Sequence, residues 1–223
     1  MIGHIRPQLR YSVLDDYWNA VPTPTDPALS VLARRLDRFI TPQSPDDVRK
    51  LEEITGVSIT TVDGLKQAME KSFLQSLDVG MVTVKVGLAY NRSLHFREIA
   101  AADATSDFGA MMHRERQLPA GFRVNDERPF RALEDHMFHH LIRLAGENQV
   151  PVQVHTGLQA GNGGFIANTN PVLLNNLFFL YPKVKFDLFH MSFPYQEELA
   201  ALAKQFANVG EPSYDCVYKP TPA

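Results

Sequence analysis

Two short runs, each ending in a histidine, constrain this chain more than any other feature. Pro151-Val152-Gln153-Val154-His155-Thr156-Gly157 opens into a glycine-rich loop, and Lys185-Phe186-Asp187-Leu188-Phe189-His190 repeats the pattern 35 residues later. Between them, Asn170-Pro171 is an N-cap and first-turn pair for a helix through Leu180. Strand, helix and strand at this spacing make a parallel βαβ unit, which brings both strand ends to one edge of the sheet. That edge carries the active site in barrel enzymes, and neutral imidazoles delivered there suit zinc and similar ions. A single strand-end histidine is more often a structural hydrogen-bonding residue. Two at equivalent points of successive units favour metal ligation. By alternation His155 shares a face with Gln153, whereas His190 shares one with Phe186 and Leu188.

The residues from Met81 to Tyr90 read as a further strand. Val82, Val84, Val86 and Leu88 fall on one face, and Thr83, Lys85, Gly87 and Ala89 on the other. In a closed parallel barrel the first face meets the helices and the second points inward, so Lys85 projects into the barrel. A buried lysine is costly unless it is paired or modified. Lys85 is therefore a candidate carbamylated ligand, nucleophile or substrate-orienting charge. An unreactive pair with a barrel carboxylate is the alternative. Arg92, just past this strand, is placed either to clamp a carboxylate bidentately or to be a solvated loop residue.

The rest of the chain is read as follows. Residues 1–30 are irregular, with Pro22, Pro24 and Pro27 opposing a helix. Leu29 to Ile40 reads as a helix. Ser44 caps another, with Pro45 in its first turn and Gly56 at its end. A third runs from Thr61 or Asp63 to Gly80. A short helix falls in 92–104, a long loop in 105–128, and a helix from Pro129 to about Asn148. A helix from Tyr195 to Phe206 and a last strand within Asn208 to Tyr218 complete the pattern. This is one α/β domain over 1–223, with 1–80 mainly helical and irregular and 81–218 built of βα repeats.

Other chemistries find little support. The 223 residues carry 22 basic and 25 acidic side chains, a net charge of -3, which gives no electrostatic footprint for nucleic acid. No apolar run approaches the roughly 18 residues of a membrane span. One cysteine, Cys216, permits no internal disulfide, suits a reducing cytoplasm, and has no histidine near it in sequence. The loop from Gly157 to Gly164 matches neither the dinucleotide fingerprint nor GxxxxGK, and reads as a flexible active-site loop. No GxSxG appears. His136, His139 and His140 match no metalloprotease pattern and read as a partly solvated helix face.

The segments Val84 to Arg92, Val152 to Gln159 and Phe186 to His190, with Asn170-Pro171 and the tract Tyr181 to Phe186, resemble the amidohydrolase superfamily. The similarity is greatest to its amidohydrolase-related branch, which includes decarboxylases and is related to uronate isomerases. The resemblance implies a (β/α)8 barrel holding a divalent metal, zinc first, with manganese or iron as alternatives, that activates water or polarises a carbonyl. It implies His155 as the fifth-strand metal ligand and His190 as the sixth-strand histidine, ligand or substrate contact. It implies Lys85 on the fourth strand, where some relatives use a carbamylated lysine. The family's first-strand His-x-His pair has no counterpart, since His4 is followed by Ile5 and Arg6. Nor does its eighth-strand aspartate, since Asp215 falls near the expected seventh strand.

The expectation is thus a partial (β/α)8 TIM-like barrel lacking at least the first and last strands, a truncated member. It would act as a metal-dependent hydrolase on a small carbonyl or carboxylate-bearing substrate, and be weak or inactive as this chain. A related decarboxylase, or a non-catalytic remnant binding a small acid or partner, is the alternative. The catalytic candidates are His190 and Lys85, the substrate-binding candidate Arg92, and the metal ligands His155 and His190. Open barrel edges point to a homo-oligomer that covers them.

Overall fold

The computed structural model describes residues 11–17, 19–113 and 128–210. Two strands, β1 (Ser12–Asp16) and β2 (Ser30–Arg34), precede a single helical turn, α1 (Asp37–Ile40). Helices α2 (Pro45–Thr55) and α3 (Val62–Asp78) lead to β3 (Met81–Val86). Helices α4 (Ala101–Met112) and α5 (Arg131–Glu147) lead to β4 (Val152–His155). Helix α6 (Asn175–Leu180) connects to β5 (Phe186–Phe189), and α7 (Gln196–Gln205) to β6 (Val209–Gly210). All six strands are parallel and lie side by side in chain order. Among the described residues β6 does not pair back onto β1, so the sheet is an open arc of a barrel.

Register explains the core. Val84, Val152 and Phe186 stand abreast, as do Val86, Val154 and Leu188, and all six are buried. This row meets the helices, among them Leu133, Met137, Leu141 and Leu144 of α5 and Leu65, Met69 and Phe73 of α3. Burying each such side chain contributes about 1.5–3 kcal/mol, so this two-sided burial dominates the fold. The other face carries Lys85, Gln153 and Asp187 abreast. Local signals hold at the helix ends. Ser44 Oγ accepts from the Asp47 N–H, Thr61 Oγ1 from the Gly64 N–H, and Gly56 ends α2 at φ 64°.

Four expectations change. Residues 1–30 are not wholly irregular, because β1 precedes the three prolines, which fall in its connection to β2. The run from Leu29 to Ile40 is a strand and a turn rather than one helix. Ser30–Arg34 is paired on both sides, and Arg34 donates to the Asn19 and Ala20 carbonyls and to Asp16. These non-local bonds outweigh local helical spacing. The third strand stops at Val86, and Leu88–Tyr90 form a 3₁₀ turn. The helix placed in 92–104 starts only at Ala101 and takes up part of the expected loop. The last strand is described only as Val209–Gly210, and the rest of that expectation, with His4, Asp215 and Cys216, lies outside the described residues. Among the described residues no helix is long and apolar enough to cross a membrane.

Candidate metal centre and adjoining cavity

His155 is the last residue of β4, and the loop after it packs directly on the loop after β5. Gly157 makes this approach possible. It has φ 70°, and a Cβ there would lie 2.5 Å from the Ser192 carbonyl carbon and the Phe193 oxygen. Thr156 Oγ1 donates to the Phe189 carbonyl and contacts Ser192 Oγ, each at 2.7 Å. The chain turns sharply after Phe189, with His190, Met191 and Ser192 at φ 65°, 51° and 50°. Three consecutive non-glycine residues in the left-handed region store about 1–2 kcal/mol each. The turn takes His190 off the alternation that groups it with Phe186 and Leu188, and its Nε2 comes to 3.0 Å from His155 Nδ1.

The hydrogen bonds fix the tautomers. His155 Nε2 lies 3.2 Å from the Leu158 carbonyl, which can only accept, so that nitrogen carries the proton. Burial, reinforced by His190 and Lys85, pushes His155 down to about 4, so the ring is neutral at pH 7. Its Nδ1 is then a lone pair, and His190 Nε2–H donates to it. Burial and Lys85 lower His190 as well. Tyr90 packs on His155 with ring centroids 4.6 Å apart, and its hydroxyl accepts from the Ala160 N–H.

Lys85 lies in the barrel interior, as the alternation predicts, and is 4% exposed. Its Nζ has no hydrogen-bond partner and sits 3.1 Å from the centroid of the Phe189 ring. Burial lowers it to about 7, against the opposing pull of Asp15. Beside it, Gln153 Nε2 donates to Asp187 Oδ2, and burial raises Asp187 to about 6.

A cavity of about 620 Å³ is lined by Tyr90, whose ring also packs on His155. Tyr17, Arg35, Asp37, Arg38 and Gly87 also line it. Arg35 clamps Asp15 with Nε and Nη2 and lies over the Tyr17 ring. A Cβ at Gly87 would strike Arg35 Nη1, so glycine makes room for the guanidinium. Asp37 Oδ2 accepts the Gly87 N–H at 3.0 Å, while its Oδ1 is buried without a partner. Burial raises Asp37 to about 6.

Arg92 lies elsewhere in the network of contacts. It is 1% exposed, bonds Glu134 at 3.0 Å, pairs with Asp135, and donates to the Ser93 and His95 carbonyls. These bonds occupy the donors that a substrate carboxylate would need. Of the α5 histidines, His139 is buried and bonds Tyr181, while His136 and His140 are half-buried with Nε2 turned inward, so the expected partly solvated face holds for those two alone.

A family model described as amidohydrolase matches residues 100–213, half of the chain. The chain belongs to the amidohydrolase family. Over 59 residues, 26% of its length, it is 42% identical to Protein fluG of Emericella nidulans, spanning 7% of that protein. Its fold is similar to that of a Lactobacillus casei protein assigned to the metal-dependent hydrolases. There the TM-score is 0.67 at 21% identity, covering 94% of this chain and 52% of that one. It is also similar to uronate isomerase of Thermotoga maritima, with TM-score 0.63 at 17% identity, covering 82% and 42%. The chain thus spans about half the length of these solved relatives or less.

The histidine pair suits a divalent ion in chemistry. Both rings are neutral. An ion there would need His190 to carry its proton on Nδ1 instead, which leaves lone pairs on His155 Nδ1 and His190 Nε2, 3.0 Å apart. Among the described residues no group of three or more His, Cys, Asp or Glu side chains gathers as a metal site. Sequence reading missed Arg35, Asp37, Arg38 and Tyr90, because assigning Leu29 to Ile40 to one helix hid the strand end that carries the first three.

Proposed function

We propose that this chain carries the metal-holding part of an amidohydrolase-type hydrolase acting on a small carbonyl- or carboxylate-bearing substrate. The observation behind this reading is the 3.0 Å approach of His155 Nδ1 to His190 Nε2 at adjacent strand ends, beside a cavity large enough for a small molecule. His155 and His190 would hold the ion, with zinc the first choice for two imidazoles and manganese or iron the alternatives. When bound, such an ion lowers the pKa of water to about 7 and polarises a carbonyl. The protein's own share is to orient and shield. The Leu158 carbonyl fixes the His155 tautomer, and Tyr90 fixes its ring plane. Lys85, held on Phe189 with no hydrogen bond of its own, supplies an amine for the reacting centre. With two described ligands, we expect weak or no turnover by this chain alone.

Elemental analysis of the purified chain beside His155→Ala and His190→Ala tests the reading. About one equivalent of zinc, iron or manganese, lost in both variants, supports it. A metal-free wild-type protein that takes up no added zinc by calorimetry ends it.

A further inference from the structure

The cavity beside the histidine pair is built around two guanidinium groups that are used differently. Arg35 is neutralised by its bidentate grip on Asp15 and braced over Tyr17. Arg38 makes no ion pair among the described residues, and its one hydrogen bond is a long 3.5 Å contact from Nη2 to the Asn19 carbonyl. Both groups line the cavity, and so does Asp37, whose Oδ1 is buried and unpartnered. A guanidinium with no ion pair, next in sequence to a bare carboxyl oxygen that lines the same concave site, is an arrangement that a ligand completes.

We infer that this cavity is a subsite for a small monocarboxylate, with Arg38 the group that recognises its charge. The inference rests on the functional reading above, because it places the remainder of the ligand toward Tyr90 and the histidine pair. A guanidinium matches a carboxylate in shape and pairs with it through two parallel bonds. Asp37 lines the same cavity, so a phosphate dianion meets stronger repulsion there than a monocarboxylate does. Asp37 Oδ1 adds a preference for an acid that also carries a hydroxyl, which would supply the missing hydrogen-bond donor. Arg38 follows β2 on the one-turn α1, so its backbone is tied to the sheet and the guanidinium need not be ordered by a mobile loop.

Benzoate is a suitable probe, because benzamide has nearly the same shape and no charge. Binding is measured by titration calorimetry on the full chain in EDTA, so a failure of the metal reading leaves the result standing and the two can fail separately. Saturable benzoate binding is expected, at least about tenfold weaker for benzamide and for Arg38→Gln, intermediate for Arg38→Lys, which keeps the charge but not the fork, and not displaced by equimolar inorganic phosphate. Equal affinity for benzamide, no saturable benzoate binding, unchanged binding in Arg38→Gln, or a loss in Arg38→Lys as large as in Arg38→Gln would each overturn the assignment.

Discussion

Arg92 sits between two fully buried carboxylates, Glu134 and Asp135, with Phe96 against its guanidinium plane. Removing one partner of a buried ion pair leaves the others charged and desolvated, which costs about 3–5 kcal/mol. Arg128 still reaches Glu134, and Arg97 and Arg131 still reach Asp135, so the lower end of that range applies here. Arg92→Ala should therefore lower the unfolding free energy by about 3 kcal/mol in urea titration. Arg92→Lys should recover less than half, because an ammonium cannot fork to two carboxylates. A loss below about 1 kcal/mol would place Arg92 among weakly coupled surface charges. The residue type announced a carboxylate partner, but the partners lie 42 and 43 residues away on α5, beyond the reach of any local pattern. Lys85 was legible where Arg92 was not, because strand alternation fixes the direction of a side chain without naming its neighbours.

Helix α5 presents the corresponding lesson for an element. Its apolar spacing and length follow from the sequence, while the burial of its histidines follows from packing against α3 and α4. Burial, with Arg143 and Lys66 adding, lowers His140 from 6.5 to about 4, and His136 and His139 are lowered chiefly by burial too. A histidine with a depressed folded pKa is neutral in both states above pH 6.5. As pH falls the unfolded chain takes up the proton first, so stability drops between about 6.5 and 4 and then levels. Asp37 and Asp187, raised from 3.8 to about 6, act with the opposite sign over much the same range, so the wild-type profile alone is ambiguous. His140→Gln isolates the effect. The variant's stability relative to wild type should be constant above pH 6.5 and improve as pH falls toward 4, as read by urea unfolding at each pH. A difference that stays flat across the range would show that His140 titrates normally.

At the scale of the molecule, the open arc leaves β1 paired only to β2 among the described residues. Val13 and Leu14 on this strand are 46% and 39% exposed, and Leu29 beside it is exposed as well. An unpaired parallel edge with apolar side chains is a template for association. We expect concentration-dependent self-association in sedimentation velocity, shifted toward monomer by Val13→Lys with Leu14→Lys. A chain that remains monomeric at high concentration without these changes would show that the edge is protected in another way.

The sequence by itself determined the central βαβ units, the capped helices α2 and α3, the inward lysine and the two strand-end histidines. Each depends on a period or a cap written within a few consecutive residues. Tertiary structure alone decided that Ser30–Arg34 is a strand, that His190 turns in to meet His155, that Arg92 is consumed by α5, and that Arg35, Asp37 and Arg38 share a cavity with Tyr90. These rest on contacts between segments far apart in the chain. There, backbone pairing and the need to satisfy buried charge override local preference, and no short window of sequence records them.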